Sequence, residues 1–199
     1  MRDFALWPFV LFCLVATGTP GPNNMINLAQ GVRLGFWRAL PFAFGTGFGI
    51  GSVLFAMALG LGALMGAVPV LDYVMRAATL AFLLYLAGKI VTAGPLGEGA
   101  ETDRLGFFSG VAFQWINPKT WASAMTMVTT YLPAQPSLTV SVVAAVIFCV
   151  AGWMMQPVWI AFGSVLRGFL ADPLWAGIFN YAMAGILLAL TVPFLISRG

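Results

Sequence analysis

Thr19-Pro20-Gly21-Pro22-Asn23-Asn24 interrupts the first apolar run of this chain, and Asn117-Pro118 interrupts the fourth. Proline cannot donate to the helix ladder and clashes with the preceding turn, so a helix entering either motif stops and restarts. Residues 4–32 and 105–132 therefore each read as two half-helices instead of one rod. Taken singly, either break reads as a kinked helix of a kind common in membrane bundles. The same break, with asparagine beside proline, at the head of both halves of the chain reads as a site.

The composition around these motifs is that of a protein solvated by lipid. Of 199 residues 61% are hydrophobic and only 8% are charged, with a mean hydropathy of +0.96. Soluble domains carry about 25% charged residues, so these fifteen charges (nine basic, six acidic) cannot cover a water-facing surface. A membrane helix takes about 20 mostly apolar residues. The chain divides into six such segments, 4–32, 39–65, 70–91, 105–132, 138–162 and 174–196. The expected architecture is all-α, with about six transmembrane helices in one transmembrane domain, residues 1–199. Residues 93–104 hold Glu98, Glu101 and Asp103 and form the one polar loop between the halves. Residues 4–18 also resemble a signal peptide, but Asp3 offsets Arg2 and the apolar run resumes after the break, so the segment is expected to be retained.

Three helices per half is an odd number, so repeats 1–92 and 105–199 must insert with opposite orientations. Aligning Leu83-Leu84 with Leu187-Leu188 sets Arg76 opposite Asn180 and supports the duplication. This is the inverted-repeat plan of many secondary transporters, whose site lies between paired interrupted helices at the bilayer midplane. Arg33, Arg38, Lys89, Arg104 and Arg167 flank one set of loops, against Arg2, Arg76 and Arg198 on the other side. Five against three points to both termini outside, in the periplasm of a bacterium.

The breaks supply a definite chemistry. A restarted half-helix presents unbonded N–H groups and the positive end of its dipole, which suit a carboxylate. Gly21, Pro22, Asn23 and Asn24 at one break, with Gln114, Asn117, Pro118 and Lys119 at the other, suit a small zwitterion such as an amino acid or a derivative. Lys119 reads in two ways: as a ligand for the cargo's carboxylate, or as a side chain that snorkels or binds carbonyls freed by Pro118. Asp72 and Arg76, spaced i,i+4, read most simply as a local ion pair. With Asn180 and Gln156 they are candidates for gating or for lining the cavity, and Trp153, Pro157 and Trp159 belong to the same polar stretch as Gln156. Gly45, Gly47, Gly49 and Gly51 form two overlapping GxxxG pairs, expected to be a close-packing face and not a phosphate loop.

Several classes are disfavoured. There is no histidine, and Cys13 and Cys149 lie in apolar runs, so no metal site, cofactor, exposed disulfide framework or hydrolase triad is expected. The positive balance is a topology signal and not a nucleic-acid footprint. A membrane thiol–disulfide carrier using Cys13 and Cys149 is the alternative function, weakened because redox carriers need accessible thiolates. A channel or a non-transporting membrane partner is the other.

The motifs Thr-Pro-Gly-Pro-Asn-Asn at 19–24, Gly-Phe-Trp-Arg at 35–38, Leu-Leu-Tyr-Leu-Ala-Gly-Lys-Ile at 83–90 and Phe-Gln-Trp-Ile-Asn-Pro-Lys at 113–119 together resemble the LysE/RhtB family of bacterial amino-acid exporters. The resemblance covers nearly the whole chain. It implies a multi-pass exporter of the bacterial cytoplasmic (inner) membrane, not an enzyme, with both motifs near the transport path. Gly-Trp-Met-Met-Gln-Pro-Val-Trp at 152–159 is more similar to the branch that exports cysteine and O-acetylserine. Many other members have an acidic residue in this segment, and this chain has none. That departure leaves the proton open as coupling ion with Asp72 its weak candidate carrier. The oligomeric state, a homo-oligomer included, is also open.

Overall fold

A computed structural model describes residues 5–61, 69–92 and 105–196; the polar loop expected at 93–104 lies outside them. The described chain is almost entirely helical. Its elements are α1 (Leu6–Gly18), α2 (Pro22–Leu34), α3 (Phe36–Ala56, prolonged by a wider turn, Met57–Leu61), α4 (Pro69–Val91), α5 (Phe107–Ile116), α6 (Pro118–Tyr131), α7 (Leu138–Leu166) and α8 (Pro173–Ile196). Both expected breaks are present. Proline is the first residue of the restarted helix in each case, where its missing N–H costs nothing. Extended backbone at Gly21 and Asn117 makes the turn. Pro157, by contrast, lies inside an unbroken α7. The tight α2–α3 junction turns on Gly35, whose φ of 78° disfavours a side chain.

The glycines of α3 are its contact surface. A Cβ built on Gly45 would lie 1.9 Å from the Phe107 carbonyl oxygen of α5, and one on Gly49 would meet Gln114 at 2.7 Å. Gly47 and Gly51 face the other way, against Trp153 and Ala145 of α7. The two overlapping GxxxG pairs therefore serve two different neighbours, α5 and α7. A further pair joins α2 to α7: Gly31 lies on the Ile160 carbonyl and Gly163 on the Leu28 carbonyl, each too close for a Cβ. In lipid there is no hydrophobic drive between apolar helices, so close backbone approach of this kind supplies much of the association energy.

Helix α7 carries its apolarity on the outside. Val142, Val146, Val150, Met154, Val158 and Phe162 are exposed, whereas Ser141, Ala144, Ala151, Gly152, Gln156 and Gly163 are buried. A helix on a water-soluble core has the reverse arrangement. Among the described residues, α3 with its terminal turn (Phe36–Leu61) and α7 (Leu138–Leu166) are long and apolar enough to cross a bilayer singly; Leu6–Gly18, Phe107–Ile116 and Leu174–Ala189 are shorter apolar helices. Two of these short pieces, α1 and α5, are short because a proline break ends them.

Two apolar clusters form the interior. One joins Phe9 and Cys13 of α1, Ile50, Val53 and Leu54 of α3, Met127 of α6 and Phe148 of α7. The other joins Met25 and Ile26 of α2, Phe42 of α3, Phe113 of α5, Leu83 of α4 and Leu187 of α8. The two leucines matched by the repeat alignment, Leu83 and Leu187, thus share a cluster. On α3, Thr46 lies one turn from Phe42 and one from Ile50, between the two clusters, and it is fully buried. The polar side chains gather at that level.

Candidate functional site

Where α1 stops, its last carbonyls must find donors outside their own helix. Side chains from three other helices provide them. The Asn24 amide of α2 donates to the carbonyls of Thr17 (3.1 Å) and Thr19 (2.7 Å). Gln156 of α7 donates to Thr17 at 3.2 Å, and the indole N–H of Trp159 to Gly18 at 3.3 Å. From the opposite break, Lys119 Nζ donates to the Thr19 carbonyl (2.6 Å), the Thr19 hydroxyl (3.0 Å) and the Pro20 carbonyl (3.3 Å). In this structure Lys119 binds freed carbonyls, and they belong to the facing break and not to its own.

A chain of amides joins the two breaks. Asn23 donates to Gln156 Oε1 at 2.7 Å and accepts from Gln114 Nε2 at 3.1 Å and from the Thr46 hydroxyl at 3.2 Å. Asn27, one turn on, also donates to Gln156 Oε1, at 2.8 Å. Gln114 Oε1 accepts from Asn117 Nδ2 (3.2 Å) and from the Thr120 hydroxyl (2.8 Å). Asn23, Asn24, Asn27, Thr46, Gln114, Asn117, Thr120 and Gln156 are all buried. Buried amides without partners would cost about 1–3 kcal/mol each, and each of these side chains makes at least one hydrogen bond. The side-chain oxygen Oδ1 of Asn27 is buried without a partner among the described residues.

The two restarted helices differ in what they leave open. At α6, Pro118 has no N–H, Asn117 Oδ1 caps the Lys119 N–H at 3.1 Å, and the N–H groups of Thr120 and Trp121 return to the Asn117 carbonyl. At α2, the first return is from Met25 to the Gly21 carbonyl, so the N–H groups of Asn23 and Asn24 have no partner among the described residues. Residues 19–24 therefore set a negative helix end, the carbonyls closing α1, beside a positive one, the amides opening α2.

A cavity of about 30 Å³ lies between the breaks, lined among others by Gly21, Asn23, Asn24, Gln114, Asn117 and Lys119, with Gln156 and Thr120 closing its walls. That volume takes about two waters and no amino acid. In this conformation the site's groups are bonded to one another.

Of the residues singled out in the sequence, Gly21, Asn23, Asn24, Gln114, Asn117, Lys119 and Gln156 come together here, and Pro118 shapes the turn beneath them. Arg76 and Asn180, both half-buried, are not among the lining residues, and the Asp72 side chain lies outside the described residues. Cys13 is buried in an apolar cluster and Cys149 packs beside Gly51, and neither lines the cavity. Trp153 donates to the Phe44 carbonyl at 2.9 Å and faces outward. Thr46, Thr120 and Asn27 were missed by the sequence reading; Asn27 follows Asn23 by one helical turn, a spacing that could have identified it.

The family model described as LysE type translocator matches residues 14–198. The chain belongs to the LysE type translocator family. Among curated LysE relatives, the cysteine/O-acetylserine efflux protein of Escherichia coli O157:H7 is 26% identical over 84% of this chain and 86% of that protein. Proteins of the same name from Shigella flexneri serotype 5b and Salmonella choleraesuis are 25% and 24% identical over the same shares. No solved structure matches the chain. A LysE translocator is a membrane protein, in keeping with the outward apolar face of α7.

Proposed function

We propose that this chain exports small amino acids or their derivatives across the bacterial cytoplasmic membrane by alternating access about one fixed site. The observation that carries the proposal is the buried amide chain from Asn23 through Gln114 to Asn117, which links the two helix breaks across the cavity. Unpaired backbone in hydrocarbon costs several kcal/mol per group, so broken helices persist only where they bound a protein cavity. The relatives' names, efflux proteins for cysteine and O-acetylserine, support a cargo of that size and charge.

In this reading the protein is one transmembrane domain of six spans, the halves being two inverted repeats. The pairing of α3 with α7 and of α4 with α8, the second and third spans of each half, supports that symmetry. Thr46 lies ten residues into α3, about 15 Å along its axis, which is half of a hydrocarbon core about 30 Å thick. The cargo's carboxylate meets the open N–H groups of Asn23 and Asn24, and the amides of Gln114, Asn117 and Gln156 exchange their mutual bonds for bonds to the cargo. Because the bonds of Gln114 to Asn23 and of Gln156 to Asn23 and Asn27 join one half to the other, loading the site loosens the halves, which is the step that alternating access needs. A proton as coupling ion, both termini in the periplasm and a homo-oligomeric assembly belong to the same reading.

The test is overexpression in cells fed a panel of dipeptides, with the amino acids that appear in the medium identified and timed. Saturable, stereoselective appearance of one or a few small amino acids is expected. A medium indistinguishable from that of cells without the protein would contradict the proposal.

A further inference from the structure

Lys119 reaches into a place built to receive an ammonium group. Its Nζ has three oxygens in range, the Thr19 carbonyl at 2.6 Å, the Thr19 hydroxyl at 3.0 Å and the Pro20 carbonyl at 3.3 Å. Three donors on an ammonium meeting three acceptors is a complete match. The oxygens belong to the C-terminal end of α1, where the helix dipole favours a cation. The lysine stem lies flat over Gly21: a Cβ there would stand 2.8 Å from Cδ and 3.0 Å from Nζ. The absence of a side chain at position 21 is therefore what lets the ammonium reach its cradle, and both Gly21 and Lys119 line the cavity.

Resting on the exporter reading, we infer that Thr19 and Pro20 form the subsite for the cargo's ammonium group, and that Lys119 occupies it as a tethered stand-in while the carrier is empty. A cargo that enters exchanges one ammonium for another, so the carbonyl cradle never faces the cavity without a cation. The contacts of Lys119 lie on the exposed side of the site, so its displaced ammonium passes to water. The open N–H groups of Asn23 and Asn24 follow the cradle directly in the chain, and in this inference they take the carboxylate of the same cargo. An internal competitor also lowers the apparent affinity for cargo in proportion to its occupancy. The weakening helps an exporter release what it carries.

The inference and its rival, Lys119 as ligand for the cargo's carboxylate, differ in sign. Full-length protein in lipid nanodiscs, kept reduced, is titrated with L-cysteine and with cysteamine, which is cysteine without its carboxyl group. Lys119→Met vacates the cradle, and binding of both compounds is expected to tighten roughly tenfold or more. In that background Thr19→Val, which removes one of the three oxygens, weakens cysteamine again. If Lys119→Met instead weakens L-cysteine and leaves cysteamine unchanged, Lys119 is a carboxylate ligand and the inference is overturned while the exporter reading stands. Unchanged affinity for both compounds overturns it equally. A parent protein that binds neither compound and exports no amino acid overturns the reading and the inference together. Should Lys119→Met not survive purification, Lys119→Gln, uncharged and of similar length, reads the same difference.

Discussion

Asn23 and Gln114 stand 91 positions apart in the chain and share a 3.1 Å hydrogen bond in the protein's interior. Each residue belongs to a different helix break and holds further partners: Asn23 the Thr46 hydroxyl of its own half and the amide of Gln156 across in the other, Gln114 the amide of Asn117 and the Thr120 hydroxyl of its own half. The bond is thus the central strut between the two motifs. Replacing Asn23 with leucine takes the acceptor from the Gln114 amide and from the Thr46 hydroxyl, while Gln156 Oε1 keeps Asn27, at a cost of about 1–3 kcal/mol for each buried group left without its partner. A lower melting temperature of the purified protein in detergent is expected. The double substitution Asn23→Leu/Gln114→Leu should cost less than the sum of the two single ones, because the first change has already broken the bond they share. Strict additivity would show that the two breaks are not coupled.

Asn117 performs two tasks, capping α6 through the Lys119 N–H and donating to Gln114. Loss of an N-cap costs about 1 kcal/mol, too little to unfold the protein, whereas loss of the amide empties one wall of the cavity. Asn117→Ala is therefore expected to reach the membrane at the parental amount and to lower efflux at least tenfold. Efflux at the parental rate, measured with the amount of protein in the membrane fixed, would remove this residue from the site.

The glycine contacts predict position-specific failure. Valine at Gly45 or Gly163 would drive a Cβ to 1.9 Å or 2.1 Å from a carbonyl oxygen of the neighbouring helix, and neither backbone can yield without separating helices. Both variants should accumulate poorly in membranes. Gly88 and Gly185 have nothing within 4 Å of a built Cβ, and alanine at either should be accepted at the parental level. Quantitative blotting of membrane fractions separates the two groups, and equal accumulation of all four variants would refute the packing account.

Cys13 and Cys149 lie outside the cavity, one buried among apolar side chains and the other at the α3–α7 contact. Cys13→Ala/Cys149→Ala is expected to keep efflux at the level its membrane amount allows, with some loss of thermal stability from the space left at Cys13. Abolished transport at full accumulation would instead favour thiol chemistry.

The breaks, the helix extents and the small-residue face of α3 were legible in the sequence, because proline and glycine act locally and their consequences do not depend on which neighbour comes near. The partner of Lys119 was not legible. A lysine two residues after a break can reach carbonyls on either side of a gap, and only the packing of α6 against α1 decides which. Asn24 shows the same limit. Its composition offered an amide to a cargo, but the folded chain uses that amide to close α1. Thr46 was hidden by its setting, since one hydroxyl between Gly45 and Gly47 looks like part of a packing stripe until α2 and α5 bring Asn23 and Gln114 to it. Arg76 and Asn180 drew attention through the repeat alignment, which matches positions along the chain and does not by itself say whether a side chain reaches the cavity.

The claim on which the rest stands is that both breaks hold the cargo together. An electron-microscopy map of the protein with an exported amino acid bound tests it directly. The account predicts density for that amino acid between residues 19–24 and 114–120, with both leading helices interrupted at Pro22 and Pro118. Cargo density elsewhere in the molecule, or either helix running unbroken through its proline, would contradict it.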